Sequence, residues 1–323
     1  MENESEKADE GASVQRMLSS KEVSRLIFDA VSVGRPFSLV RIGDGEGAVL
    51  LHGKVSATAE DRTYFEGHFG AGFPQETLEV FSRRLREAVS NADIVGIRDD
   101  IWNAERTTQP VSLNDADFEE KFRSLLKLRP IEKDISGHAL RRFYGIYRWL
   151  REEMPDGPQV CSAWISFHLG MDRFWEKLFR MKRRISVINC SPTLPGRLAK
   201  DLGLEVEHIR VPDLDRERSQ WGDDHGERIF PESYERVIST LDKRQDGKLF
   251  LIGAGVPGKA YADFIKQRGG IALDVGGLMD AWDGRATRPA VFATMLPGNA
   301  ANGHLVFALR PPVHRRLWSL LRR

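Results

Sequence analysis

A chain of 323 residues that is 41% hydrophobic and 29% charged has an ordinary globular composition, with enough apolar material to bury a core without cross-links. Its two cysteines, Cys161 and Cys190, are too few for a disulfide framework or a zinc site, as expected in a reducing compartment. A net charge of +1 gives no overall electrostatic case for nucleic acid, and no apolar run reaches the roughly 18 residues of a membrane-spanning helix.

Residues 1–15 open Met-Glu-Asn-Glu-Ser-Glu without the basic-then-apolar order of a signal peptide, and read as a disordered acidic lead. Residues 17–33 carry Val23, Leu26, Ile27 and Ala30 at helical spacing, with Ser19 or Ser20 as the cap and Gly34-Arg35-Pro36 as the stop. FSLVRI then reads as a buried strand, and Gly43-Asp44-Gly45-Glu46-Gly47 as a tight loop after it. Next come an amphipathic helix at 75–91, a strand at 92–97, helices at 116–128 and 139–153, and a short strand at 159–163. Residues 164–182, rich in Phe, Trp and basic residues, read as one helix.

ISVINC (185–190) is a further strand, followed by a helix at 194–202 and the strand VEHIRVP (206–212). The polar stretch 213–230, with Trp221, Gly222 and His225, reads as a flexible active-site loop. A helix near 231–242, the strand KLFLIGAG (248–255), a helix at 259–268 and the strand IALDVGG (271–277) complete the series. Strands alternating with helices predict an α/β fold, a Rossmann-like parallel sheet with helices on both faces, over 16–295, with a basic extension at 296–323.

In such sheets ligands bind beyond the carboxyl ends of the strands, and the chain places unusual chemistry there. Arg41-Ile42-Gly43-Asp44-Gly45-Glu46 offers two carboxylates one residue apart, the oxygen donors that Mg²⁺ or Mn²⁺ takes when bridging to a substrate phosphate, with Arg41 able to pair a phosphate or brace a carboxylate. A solvent-exposed turn is the alternative for the Asp-Gly-Glu triplet alone. Gly253, Gly255 and Gly258 fit Gly-x-Gly-x-x-Gly between a strand and a helix, where backbone and helix terminus favour a phosphate. Asp274 stands about 20 residues on, so a dinucleotide is an open reading. Asp274 also lies in an apolar strand, where it needs a partner, and Asp280, Trp282, Asp283, Arg285 and Arg288 follow in what reads as a short loop, a candidate sugar or nucleotide platform.

Asp213, Asp215 and His225 are candidates for a general base, whereas His208, inside a strand, reads as structural. The segment around Ser162 and Ser166 lacks the Gly-x-Ser-x-Gly elbow of a serine hydrolase, and both cysteines read as buried small hydrophobes. After Asp283 there is no acidic residue but seven arginines, and Leu317, Trp318, Leu320 and Leu321 lie among them. That suits peripheral contact with a membrane surface, a partner protein, or a plain domain-closing helix.

RIGDGEGAVL, LFLIGAGVPGKAYADFIKQRGGIALDVGGLMDAWDG and ATRP together resemble the GT-D type of bacterial glycosyltransferases over roughly residues 20–290. The resemblance implies a Rossmann-like fold with an Asp-x-Glu motif in which Asp44 and Glu46 hold a metal, Mn²⁺ or Mg²⁺, and the nucleoside diphosphate. It further implies that Gly253, Gly255, Gly258 and Lys259 line the donor pocket, with Asp274, Asp280 and Trp282 matching the family's tail pattern; Arg41 and Gly43 of the RIGDGE segment are binding candidates beside them. One branch of the family carries His-Leu-Asp after the last strand, where this chain has Gly277-Leu278-Met279-Asp280. The expected activity is metal-dependent, hexosyltransferase-like transfer of a sugar from a nucleotide sugar, a UDP-sugar, to a glycan, lipid-linked or protein acceptor, in the cytoplasm or at the inner face of the membrane. The alternatives are an NAD(P)-dependent oxidoreductase built on GAGVPG and a non-catalytic nucleotide-sugar-binding protein.

Overall fold

The computed structural model describes residues 16–53, 59–69, 73–104, 112–113, 117–126, 137–154, 156–213 and 227–283. The acidic lead 1–15, most of the 213–230 loop and everything after Asp283 lie outside the described residues.

Short runs of apolar residues form seven strands: β1 (Phe37–Arg41), β2 (Ile94–Ile97), β3 (Gln159–Ser162), β4 (Arg184–Asn189), β5 (Glu205–Arg210), β6 (Leu249–Gly253) and β7 (Ile271–Asp274). They pair in parallel in the order β3-β2-β1-β7-β6-β4-β5. Because strand side chains alternate between faces, each strand feeds two cores. Leu249 and Leu251 of β6 and Ile271 and Leu273 of β7 join one, while Phe250, Ile252 and Ala272 join the other. This double burial is why the inner strands are almost wholly apolar, whereas the edge strand β5 (EVEHIR) alternates with polar residues and is largely exposed.

The first core is closed by α2 (Asp44–Leu50), α4 (Gln75–Ser90), α7 (Gly137–Glu153), α11 (Tyr234–Leu241) and α12 (Pro257–Gln267), with α3 (Ala59–Phe69), α5 (Asp99–Ala104) and α6 (Phe118–Leu126) packed around them. The second is closed by α1 (Ser20–Val33), α8 (Ile165–Met171), α9 (Phe174–Met181), α10 (Leu194–Leu202) and α13 (Leu278–Trp282). Ser19 proves to be the α1 cap. Its side chain accepts from the Glu22 N–H while Glu22 accepts from the Ser19 N–H, and Gly34 at φ 68° ends the helix. No helix among the described residues is long and apolar enough to cross a membrane.

The structure corrects three local expectations. The segment 43–47 is not a loop: α2 begins at Asp44, one residue past Gly43. Its glycines answer to packing, since a Cβ at Gly45 would fall 1.9 Å from the Tyr64 hydroxyl of α3 and one at Gly47 would fall 2.8 Å from Ile146 of α7. The helix expected over 164–182 is two, α8 and α9, broken where Arg173 adopts φ 57°. That break turns Phe174, Trp175, Leu178 and Phe179 into the second core. Residues 278–282 form the short helix α13 instead of a loop.

Candidate functional site

The carboxyl ends of the strands open on a cleft of about 580 Å³. β1 lies between β2 and β7, so the chain leaves β1 toward one half of the sheet while β7 returns from the other, the crevice where α/β sheets take ligands. Toward β2 and β3 the cleft is lined by Arg98, Phe143, Trp164 and Phe167, with the Arg98 guanidinium 5.1 Å from the centre of the Phe143 ring. Toward β4 and β5 it is lined by Asn189, Cys190, Pro212 and Asp213, and from α13 by Met279 and Asp280.

Between these halves four charged side chains form a chain of alternating sign. Arg41 Nη2 lies 3.3 Å from Asp274 Oδ1, Lys259 Nζ lies 3.1 Å from Asp274 Oδ2, and the same Nζ lies 2.5 Å from Glu46 Oε1. Lys259 also donates to the Gly255 carbonyl at 2.9 Å, so all three ammonium donors are used. Glu46 Oε2 accepts from the Gly43 N–H at 2.8 Å, and Asp274 Oδ2 from the Arg41 N–H at 3.1 Å. Arg41 further donates to the carbonyls of Asp274 and Ala163.

Glu46, Lys259 and Asp274 are buried, so the network holds charge that would otherwise be costly to desolvate. Burial pushes the Glu46 carboxyl up, and the adjacent Lys259 ammonium more than offsets it, leaving Glu46 below the ordinary carboxylate value. Burial likewise raises Asp274, but Lys259 and Arg41 hold it below its ordinary value. Burial alone would lower Lys259, and Asp274 with Glu46 hold it above the usual lysine value. Glu46, Asp274 and Lys259 are therefore charged at neutral pH, and with the Arg41 guanidinium the network sums to zero, a fixed set of dipoles rather than a net field.

The cleft brings together Arg41, Gly43, Glu46, Asp213, Gly253, Gly255, Lys259, Asp274 and Asp280 from the sequence-derived set. Trp282 does not face it. That ring is 1% exposed and packs at right angles on Trp175, with centroids 5.3 Å apart, so the expected aromatic platform after β7 is core. Gly258 does not line it either: a Cβ there would stand 2.9 Å from Ile252, so this glycine serves the contact between α12 and β6. The side chain of Asp44 and all of Asp215 and His225 lie outside the described residues. His208 has the structural place expected of it, its Nε2 facing the carbonyl and side-chain oxygens of Asn189.

Arg98, Phe143, Trp164 and Asn189 were missed in sequence. Arg98 and Asn189 carried a signal, since one directly follows β2 and the other ends β4, at the edge where ligands bind. Phe143 and Trp164 come from a helix interior and a turn, and only packing brings them to the cleft.

The dinucleotide alternative loses its ribose ligand here. Both Asp274 oxygens are engaged by Arg41 and Lys259, and the residue is 4% exposed. For a divalent cation the one described carboxylate of the Asp-x-Glu pair, Glu46, has acceptor room. Mg²⁺ and its like are held by one or two carboxylates, with the remaining ligands from substrate phosphates and water. Glu46 lines the cleft with two acceptor positions used, by Lys259 and Gly43, of the roughly four a carboxylate has. Among the described residues no three Asp, Glu, His or Cys side chains gather as a ligand set.

An α/β protein with a charged, partly aromatic cleft at the carboxyl edge of a parallel sheet is thus the class defined by fold and site. More particularly, residues 18–127 match the family model of the GT-D fold-like domain, a stretch that includes β1, Asp44 and Glu46. The resemblance seen in RIGDGEGAVL is thereby supported over that part of the chain. Among solved structures, one described as a selenomethionine-substituted domain of unknown function 1792 is 16% identical over 82% of this chain and 79% of its own, with a TM-score of 0.48. Another, of the same domain and described as having a distinct glycosyltransferase fold, is 16% identical with the same coverage and a TM-score of 0.46. A glycosyltransferase from Streptococcus sanguinis is 16% identical over 92% of this chain and 100% of its own, with a TM-score of 0.45. No curated protein sequence matches the chain.

Proposed function

We propose that the protein is a glycosyltransferase that binds a nucleotide sugar, a UDP-sugar, in the cleft above β1 and β7 and transfers a hexose to a glycan, lipid-linked or protein acceptor. The observation that carries the reading is the coincidence of the family-model match with the cleft: RIGDGEGAVL supplies Arg41, Gly43 and Glu46 to its floor. The cation expected with the diphosphate, Mn²⁺ or Mg²⁺, would be held by Asp44 and Glu46, where it would stabilise the negative charge of the departing nucleotide.

The chain's own residues do the rest. Lys259 fixes Glu46, so the carboxylate needs no reorganisation when ligand arrives. The amino-terminal end of α12, which follows Gly255 on the cleft wall, favours a negative group through its dipole. Phe143 and Trp164 offer flat apolar surface that excludes water from one side of the ligand. Asp213 lines the cleft and is proposed as the base for the acceptor hydroxyl, with His225 as the second candidate. The arginine-rich end suits a cytoplasmic protein touching the anionic inner face of a membrane.

Incubation with UDP-, GDP- and CMP-sugars tests the reading through release of free nucleotide, with and without a chelator. Release from one nucleotide sugar, lost on chelation and restored by Mn²⁺, is expected. Binding without release under any acceptor supply would instead make the protein a nucleotide-sugar binder.

A further inference from the structure

Asn189 ends β4 and is 3% exposed, yet it lines the cleft. Its side-chain orientation is fixed by His208 on the neighbouring strand. His208 Nε2 lies 3.2 Å from the Asn189 backbone carbonyl and 3.0 Å from Asn189 Oδ1. A carbonyl only accepts, so the arrangement assigns the proton to Nε2, which donates to the backbone carbonyl and to Oδ1 of Asn189. Burial keeps the His208 ring below its ordinary value, which favours the neutral imidazole. The amide NH₂ is therefore turned away from His208, and it has no partner among the described residues. On the β6 side the residue in register is Gly253, with no side chain to cover it.

The Asn189 amide nitrogen is not one of the buried, partnerless side-chain atoms among the described residues, so it opens to the cleft, where a ligand hydroxyl can take the place of water. Asp213, just past β5, and Asp280 of α13 also line the cleft, and carboxylates disfavour a phosphate and accept from hydroxyls. We propose that Asn189 is a specificity-determining residue that donates its amide N–H to a hydroxyl of the transferred sugar, with His208 as its positioning residue. The proposal rests on the nucleotide-sugar reading and deepens it by assigning the β4–β5 side of the cleft to the sugar.

Calorimetric titration of the full chain with UDP and GDP, and with their glucose-, galactose-, N-acetylglucosamine- and mannose-bearing forms, tests it. The readout is the affinity gained when the sugar is present. Asn189→Asp is the decisive variant: it keeps the oxygen that His208 needs and replaces the donor by an acceptor. Its melting temperature, with that of Asn189→Ala, reports the fold.

The wild type is expected to favour one sugar-bearing form over its bare nucleotide. Both variants are expected to lose about tenfold in affinity for that form, with bare nucleotide changed by less than about twofold. Equal weakening of bare and sugar-bearing nucleotide would mean that Asn189 meets the base or phosphates, and would overturn the assignment. Unchanged binding in Asn189→Asp, or no gain from any sugar in the wild type, would overturn it as well. Failure of the wild type to bind any nucleotide would instead remove the nucleotide-sugar reading, and this assignment with it.

Discussion

Lys259→Met is expected to destabilise the fold by about 3–5 kcal/mol, the cost of removing one partner from a buried ion pair. The ammonium contacts Glu46, Asp274 and the Gly255 carbonyl, and both carboxylates are more than nine-tenths buried, so water from the cleft replaces little of that pairing when it is gone. The loss should depend on pH in a definite direction. In the wild type Glu46 is held below its ordinary value, so its contribution is present above the unfolded-state value and disappears as pH falls through the folded one. Without Lys259, burial outweighs the backbone hydrogen bonds left to Glu46 and lifts its carboxyl above the unfolded value. The deficit of the variant is then largest near neutral pH and shrinks on acidification. Urea unfolding at about pH 7 and about pH 5 measures both, and a deficit under about 1 kcal/mol at the higher pH would show that the network adds no more than a surface pair.

Asp44→Asn is expected to lower sugar-nucleotide turnover by at least about 100-fold while leaving the fold intact. Asp44 is the first residue of α2, immediately after the turn that leaves β1, and asparagine fits that position with a loss of only about 0.3–1 kcal/mol of dipole stabilisation. The substitution therefore separates the charge from the structure. Nucleotide release under saturating Mn²⁺ measures it, with melting temperature as the control. Turnover within about twofold of wild type would take Asp44 out of the reaction.

The strands were legible because double burial writes them as short apolar runs closed by glycine or polar residues. KLFLIGAG, ISVINC and IALDVGG needed no tertiary information, and their alternation with helices led to the parallel sheet. Beyond the strands, the misreadings share one cause. The glycines of Gly43-Asp44-Gly45-Glu46-Gly47 look like turn residues, but two of them are set by Tyr64 and Ile146, which arrive from α3 and α7. The break at Arg173 follows Gly170 in the last turn of α8, a weak signal inside an otherwise continuous apolar and aromatic run. Trp282 looked like a ligand platform because its neighbours are polar, and only the packing of Trp175 and Phe179 on it explains its burial.

The site was legible in part for the same reason. Asp274 had to find a partner, as a charge in an apolar strand must, but sequence did not disclose that the partners are Arg41 and Lys259. Lys259 followed a phosphate-type glycine pattern, yet its donors are consumed within the protein. Asn189 stood in plain view at the end of ISVIN and was passed over because a single amide carries no motif.

The central claim is that the cleft above β1 and β7 takes a nucleoside diphosphate together with a divalent cation. Thermal unfolding of the full chain with UDP, GDP, CMP and NAD⁺, each with and without Mn²⁺, tests it most directly, because a ligand of the native state alone raises the melting temperature by mass action. The account predicts a rise with one nucleoside diphosphate that requires Mn²⁺. A rise with NAD⁺ alone, independent of metal, would contradict it and return the GAGVPG turn to a dinucleotide.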